Sequence, residues 1–245
     1  MKENKYDDEN FFEKYRKFPR SVEGLNVAGE WRELEKMLPD FAGKRVLDIG
    51  CGFGWHCVYA AEHGASYVLG TDISEKMLAV ARDKTLFSSV EYRCIAMEDL
   101  SFPPDTFDIV ISSLAFHYTQ NFGEVCRLIH NCLTANGDFI LSVEHPVFTA
   151  NGTQEWIFDD TGKRDHWPID NYFREGRRDA IFLGEHVTKY HRTLTTYLNT
   201  LLQTGFAITG IVEPQPPEHL LNTVPEMVDE VRRPMMLLVS AKKNL

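Results

Sequence analysis

The chain has 245 residues, 43% hydrophobic and 25% charged, with 26 Lys+Arg against 36 Asp+Glu for a net charge of -10. That length suits one large globular domain, or a core with one sizeable insertion, burying about 70–75% of its unfolded surface without staples. The acidity excludes broad electrostatic capture of polyanions, so neither nucleic acid nor a membrane surface is expected as a partner.

The N-terminal stretch 1–18 is charged throughout and lacks the apolar segment of a signal peptide, so a soluble, cytoplasmic protein is expected. It carries Tyr6, Phe11, Phe12, Tyr15 and Phe18, which predict either an aromatic flap or a staple onto the core. Trp31, Leu34 and Leu38 follow as a helical stripe, and residues 1–40 read as an N-terminal flap and helix.

From 41 to 144 short apolar runs alternate with helical patterns. The runs are Arg45–Ile49, Tyr67–Gly70, Val90–Ile95, Phe107–Ser112 and Phe139–Val143; between them lie His56–His63, Ser74–Lys84 (with Ser74 as N-cap) and Phe122–Leu133, followed by an Asn136-Gly137 turn. Continuous apolar runs alternating with helices predict an α/β fold, a doubly wound, mostly parallel sheet. Residues 145–190 have no clean period and include Trp156, Trp167, Tyr172 and Phe173; a stretch this long predicts an inserted lid. Its aromatics either line an acceptor pocket or form the lid's own core, and Arg174, Arg177 and Arg178 form a basic cluster that either binds an acidic acceptor or, the favoured reading, is a solvated helix face. Residues 191–245 return to the core with a helix at Thr193–Thr204, a strand at Phe206–Val212, a loop holding Pro214, Pro216, Pro217 and Pro225, and a final strand at Met235–Ser240.

The strongest local signal is Val46-Leu47-Asp48-Ile49-Gly50-Cys51-Gly52-Phe53-Gly54. A buried strand runs into three alternating glycines, which permit a tight turn and close approach of backbone to a ligand. Asp72 ends the next strand, placed to accept ribose hydroxyls. Dinucleotide sites use G-x-G-x-x-G, but position 55 is Trp, and Asp48 would repel a pyrophosphate and attract an ammonium group. A nucleoside carrying an amino acid is favoured over a dinucleotide. The five cysteines (Cys51, Cys57, Cys94, Cys126, Cys132) include no C-x-x-C pair, so neither a disulfide framework nor a metal site is expected, and Cys51 reads as a small space-filler.

DIGCGFG, GTDIS, Ala96-Met97-Glu98-Asp99-Leu100-Ser101-Phe102-Pro103 and Phe107-Asp108-Ile109-Val110-Ile111-Ser112-Ser113-Leu114 stand in order. Together they resemble the class I S-adenosylmethionine-dependent methyltransferases, small-molecule branch, firmly over about 40–144 and loosely over 190–245. The resemblance implies a seven-stranded Rossmann-like methyltransferase fold and S-adenosyl-L-methionine as cofactor. It implies that Gly50, Cys51, Gly52 and Gly54 pass under the methionyl-adenosine, that Asp48 orders the loop and faces the amino group, and that Asp72 holds the ribose. Ile73 and Met77 would flank the adenine, Met97 and Glu98 would sit at its edge, and Ser113 and Leu114 would close the methionine side. Where many relatives have Asp this chain has Ala96, so the adenine amino contact passes to Glu98 or is lost.

Methyl transfer from a sulfonium is an in-line displacement in which alignment and exclusion of water do most of the work. A base is often needed as well, and His117, His145 and His191 are the candidates, Glu144-His145 as an acid/base pair. Each has a structural alternative: cofactor contact for His117, capping for His145, a helix-start contact for His191. His56, His63, His130, His166 and His219 read as ordinary surface or partly buried residues, and Asp108 as a strand-start residue. Tyr6 or Tyr15 can reach the methionine carboxylate, and Arg20 can pair with it or with an acidic substrate. The expected partner is a small-molecule acceptor and the expected state a monomer or homodimer. A nicotinamide-dependent oxidoreductase and a non-catalytic cofactor-binding scaffold are the rival readings.

Overall fold

The computed structural model describes residues 4–216, 218–223 and 225–244, with the side chains at 219, 220, 223, 225 and 226 left aside, so Pro217 and the His219 imidazole lie outside the described residues. In chain order the elements are α1 (Glu9–Arg16), α2 (Pro19–Glu23), α3 (Trp31–Met37), β1 (Arg45–Ile49), α4 (Trp55–Glu62), β2 (Tyr67–Asp72), α5 (Glu75–Lys84), β3 (Val90–Cys94), β4 (Phe107–Ser113), α6 (Phe122–Cys132) and β5 (Leu133–Glu144). Then follow α7 (Pro146–Ala150), β6 (Ile157–Phe158), β7 (Arg164–His166), β8 (Gly176–Phe182), β9 (Glu185–His191), α8 (Leu194–Gln203), β10 (Phe206–Val212), α9 (Glu218–Thr223) and β11 (Met236–Lys243).

Seven strands form one sheet in the order β10-β11-β5-β4-β1-β2-β3. The five on the β3 side are parallel; β11 lies antiparallel to both β5 and β10. Burial explains why the parallel strands were readable: Val46–Ile49 and Ile109–Ser112 are buried at every position, because helices cover both faces. One face packs Leu47, Val110 and Leu141 with Phe122, Ile129 and Tyr197 of α6 and α8. The other packs Val46, Ile109 and Ile140 with Leu34, Cys57 and Leu78 of α3, α4 and α5. The chain winds from β1 outward to β3, then returns to β4 beside β1. That reversal opens a crevice at the carboxyl ends of β1 and β4, where open α/β sheets bind ligands.

Local chemistry sets the element ends. Ser74 Oγ accepts from Met77 N and Thr193 Oγ1 from Thr196 N, each capping its helix. Asp108 accepts from Arg45 N and from its guanidinium, pinning the start of β4 to β1. Strand β5 begins earlier than its apolar run because Leu133 pairs with Phe107 before Asn136, at φ 61, kinks the strand and restarts pairing at Asp138.

The segment between β5 and α8 has secondary structure of its own. It carries α7 and two hairpins, β6–β7 and β8–β9. The β8–β9 turn places Leu183 (φ 53) and Gly184 (φ 74) in left-handed conformations, the pattern that matches strand twist. Arg177 and Arg178 therefore lie on a strand, not a helix. Arg177 pairs with Asp179, while Arg178 donates to the carbonyls of Ala150, Asn171 and Arg174. Trp156 and Trp167 meet edge to face at 5.3 Å and Phe148 stacks on Trp167 at 5.0 Å, a small core into which Arg233 inserts. The proline-rich stretch contains α9 and a 3-10 helix, Pro225–Arg232, where a loop was expected. Among the described residues no helix is long and apolar enough to cross a membrane.

Candidate active site at the carboxyl end of the sheet

The three glycines after β1 all adopt left-handed backbone: φ 70 at Gly50, 54 at Gly52 and 76 at Gly54. A Cβ on Gly50 would lie 2.5 Å from the Ala115 methyl, so the loops after β1 and β4 are in contact. The loop is tied to β2: Gly50 N and Cys51 N donate to Thr71 O at 2.8 and 3.0 Å. Gly52 N donates to one Asp72 oxygen and Ser74 N to the other, both at 2.9 Å. Burial pushes the Asp72 carboxyl above its usual range and these bonds pull it back. Each oxygen keeps a lone pair for a further donor. Asp48 is fully buried; Oδ2 accepts from the Cys57 thiol at 3.3 Å, and Oδ1 has no hydrogen-bond partner among the described residues. Burial raises its pKa to about 7. Burial likewise raises the Cys51 thiol to about 11, which leaves it protonated and poorly nucleophilic at neutral pH.

The walls come from the neighbouring strand ends. Ile73 is half-buried, and its carbonyl accepts from Asn4 Nδ2 at 3.1 Å. Met77 is buried with Phe12 and Phe53, its methyl against Gly52. Ala96 precedes a 3-10 turn holding Met97 and Glu98, both half-buried. Ser113 Oγ shares a hydrogen bond with Ser142 Oγ at 3.0 Å, and Leu114, at φ 53, donates its N–H to Ser142 O. A left-handed leucine is strained backbone of the kind found at binding sites.

Two further segments cover the crevice. From the N-terminal segment, Asp7 accepts from Ser74 Oγ and Lys76 N, and Tyr6 meets Tyr118 hydroxyl to hydroxyl at 3.0 Å. Tyr15 and Phe12 pack on Phe53. From the insertion, Phe182 packs against Phe11, Tyr15 and Phe18, while Lys5 and Lys14 pair with Glu185 at 3.4 and 2.7 Å. Lys189, only 3% exposed, reaches back to Glu144 Oε1 at 2.5 Å and to Gln154 at 2.9 Å.

The three candidate histidines have different surroundings. His117 is buried beside the crevice; its Nδ1 accepts from Glu144 N at 3.4 Å, and burial lowers its pKa to about 4. It is therefore neutral at physiological pH, with its hydrogen on Nε2. His145 caps α7 through Nδ1, which accepts from Val147 N at 3.0 Å, and its Nε2 lies 2.8 Å from Glu213 Oε1. Glu144 faces Lys189 instead, so Glu144 and His145 do not form the expected pair. His191 is fully buried and both nitrogens are engaged, Nδ1 with Thr149 Oγ1 at 2.7 Å and Nε2 with Tyr172 O at 2.8 Å.

A methyltransferase domain family matches residues 47–141. The fold is shared with a crystal structure of an S-adenosylmethionine-dependent methyltransferase from Mesorhizobium loti, 45% identical, covering 90% of this chain and all of that one at a TM-score of 0.84. A Listeria monocytogenes structure assigned to the same enzyme class is 56% identical, covering 91% of this chain and all of that one at a TM-score of 0.86. The chain belongs to the S-adenosylmethionine-dependent methyltransferases. Over 53% and 62% of its length this methyltransferase also resembles a ubiquinone biosynthesis O-methyltransferase from Neisseria meningitidis and a tRNA U34 carboxymethyltransferase from Trichlorobacter lovleyi, at 29% and 30% identity. The cofactor is S-adenosylmethionine, and the residues present fit it. Asp48 Oδ1 is an orphaned buried acceptor suited to an ammonium group, and Gly50 and Gly54 have no room for a Cβ beside Ala115 and Tyr92.

Sequence reasoning about this methyltransferase missed the Lys189–Glu144–Gln154 cluster. The signal was the alternation Val187, Lys189, His191, three buried positions on one face of β9. A buried lysine in that row disguised the strand.

Proposed function

We propose that this methyltransferase methylates a small-molecule acceptor held between the glycine crevice and the β8–β9 hairpin. The observation that carries the reading is the cover itself. Residues 5–18 and 182–189 meet through Lys14–Glu185 and Phe11–Phe182, which supports a compact acceptor over a folded RNA. The net charge of -10 supports the same exclusion.

Bound S-adenosylmethionine supplies an electrophilic methyl group on a sulfonium. In this reading Asp48 accepts from its ammonium group and Asp72 from the ribose hydroxyls. Gly50, Cys51, Gly52 and Gly54 let backbone pass close beneath it. Ile73, Met77, Met97 and Glu98 bound the adenine, and Ser113 the methionine side. Tyr6, Tyr15 and Tyr118 exclude water, and an aromatic face near the sulfonium contributes about 0.5–2 kcal/mol. Holding acceptor, methyl and sulfur in line supplies the larger share, roughly 7–11 kcal/mol when geometry is good. His117 enters as a neutral Nε2–H donor that orients the acceptor, because Glu144 N–H already fills Nδ1. His145 and His191 hold the fold, and no proton is routed through them.

The test is release of S-adenosylhomocysteine on incubating the protein with S-adenosylmethionine and panels of small phenols, amines, thiols and carboxylic acids, with bulk tRNA in a parallel reaction. Turnover with a small-molecule panel and none with tRNA is expected. Methyl incorporation into tRNA alone would reverse the assignment of acceptor.

A further inference from the structure

The carboxyl end of β5 carries a buried ion pair that takes no part in holding the cofactor. Lys189 Nζ, on β9, lies 2.5 Å from Glu144 Oε1 and 2.9 Å from Gln154 Oε1, and Gln154 Nε2 donates to Glu144 Oε2 at 2.7 Å. Side chains from β5, from the loop after α7 and from β9 thus close a ring of hydrogen bonds in which both Glu144 oxygens are filled. Gln154 holds φ 56, a left-handed backbone that is strained for a residue other than glycine. Burial pushes the Glu144 carboxyl up and the Lys189 ammonium pulls it further down, so it stays ionised. A buried pair of this kind stabilises a fold weakly, because desolvation of the two charges offsets most of their attraction.

Its neighbour is His117. Glu144 N donates to His117 Nδ1 at 3.4 Å, which leaves the ring's hydrogen on Nε2; a hydrogen on Nδ1 would set donor against donor. Burial opposes charging of the ring, the Glu144 carboxylate favours it, and Lys189 and Arg192 oppose it again. Arg192 is committed to the carbonyls of Phe116, Thr119 and Tyr190, whereas Lys189 sits on the carboxylate itself. On its own turn the ring packs on Tyr118, with centroids 4.4 Å apart, and the Tyr118 hydroxyl meets Tyr6. The one anion among these groups is therefore the one that Lys189 covers.

We propose that Lys189 is a positioning residue for His117: it holds and neutralises the Glu144 carboxylate, so that the imidazole keeps a single hydrogen, at Nε2. The use of that hydrogen rests on the reading in which His117 orients the acceptor. An uncharged ring can stand near a sulfonium, which would repel an imidazolium. Because Lys189 lies on β9, the state of the ring depends on the hairpin being seated against β5.

The experiment follows the ring nitrogens of His117 by nitrogen-15 NMR in the full chain, with no cofactor or acceptor added, the signal being assigned by its loss in His117→Gln. In the wild type a neutral ring with its hydrogen on Nε2 is expected from about pH 8 down to about pH 5, since burial lowers its pKa to about 4. Lys189→Met should raise the midpoint by about one pH unit or more, as the uncovered carboxylate draws a proton onto the ring. Sucrose keeps this variant folded if its stability falls short. Lys189→Met/Glu144→Gln removes the pull and its counterweight together and should return the midpoint to within about half a unit of the wild type. An unmoved midpoint in Lys189→Met, or the same shift in both variants, would mean that Lys189 only braces the hairpin and would overturn the inference. So would a wild-type ring that carries its hydrogen on Nδ1 or gains a second near pH 6.5, the ordinary value. Failure of the small-molecule reading shows separately, as silence in the acceptor panels with the ring titration as expected.

Discussion

The two sides of the crevice are built from different material. The glycine-loop side, to which the proposed reading gives the cofactor, is mostly backbone: three left-handed glycines, the N–H groups of Gly52 and Ser74 on Asp72, and a left-handed Leu114. The opposite side is made of side chains on segments far apart in sequence: Tyr6 and Phe11 from the N-terminus, Phe182 and Lys189 from the hairpin, His117 and Tyr118 after β4. Backbone geometry binds a ligand that is the same in every member of a family. Side chains on a hairpin outside the sheet can be exchanged without altering the sheet's backbone. Specificity is therefore expected to reside on the second side and cofactor affinity on the first.

The comparison is tested most severely at Lys189. Lys189→Met leaves the buried Glu144 carboxylate without its partner, and loss of about 3–5 kcal/mol of stability is expected in chemical denaturation. Adding Glu144→Gln should recover much of it. If the single variant is as stable as wild type, Lys189 is not buried as described. Next in size, Gly50→Ala drives a methyl toward Ala115 at a position of φ 70, and cofactor affinity measured by calorimetry should fall by more than about 100-fold. Gly29→Ala, where a Cβ meets nothing within 4 Å, is the neutral control.

What was legible follows the same division. Val46–Ile49 and Ile109–Ser112 are covered on both faces, so continuous apolar sequence revealed the sheet, and the glycine spacing revealed the tight turn after β1 that Thr71 and Asp72 tie down. The β8–β9 hairpin was hidden because Leu183 occupies a left-handed position where Asn or Gly would have signalled a turn, and because Lys189 interrupts the apolar face of β9. The contacts of Asn4 and Asp7 with residues 73–76 depend on chain segments nearly seventy positions apart, which no local pattern encodes. The sequence left His145 and His191 open between acid/base work and structural contacts; His145 caps α7, and His191 bonds Thr149 and Tyr172.

Smaller effects sharpen the picture of the cofactor side. If Asp72 is the ribose acceptor proposed above, Asp72→Ala should weaken S-adenosylhomocysteine binding by about 10–100-fold, since it also frees Gly52 N and Ser74 N. An unchanged affinity would take Asp72 out of the site. The mildest effect is on pH. Asp48 in the free protein titrates at about 7, and pairing with an ammonium group requires it ionised, so binding expels a proton below that pH. Affinity should be constant above pH 7 and fall by up to about tenfold per unit beneath it, and Asp48→Asn should be weaker but flat. A flat wild-type profile would mean that Asp48 is already ionised or does not meet the ammonium group.

The clasp between Lys14 and Glu185 joins positions 171 apart in the chain. During synthesis the ribosome releases the first of these long before the second, so the aromatic N-terminus must wait, exposed, while the sheet assembles beneath it. The contact between the two segments forms only near the end of translation. Nascent chains halted before residue 176 should already be able to form β1 to β5 and engage nucleoside, before the β8–β9 hairpin that Lys14 contacts has been made.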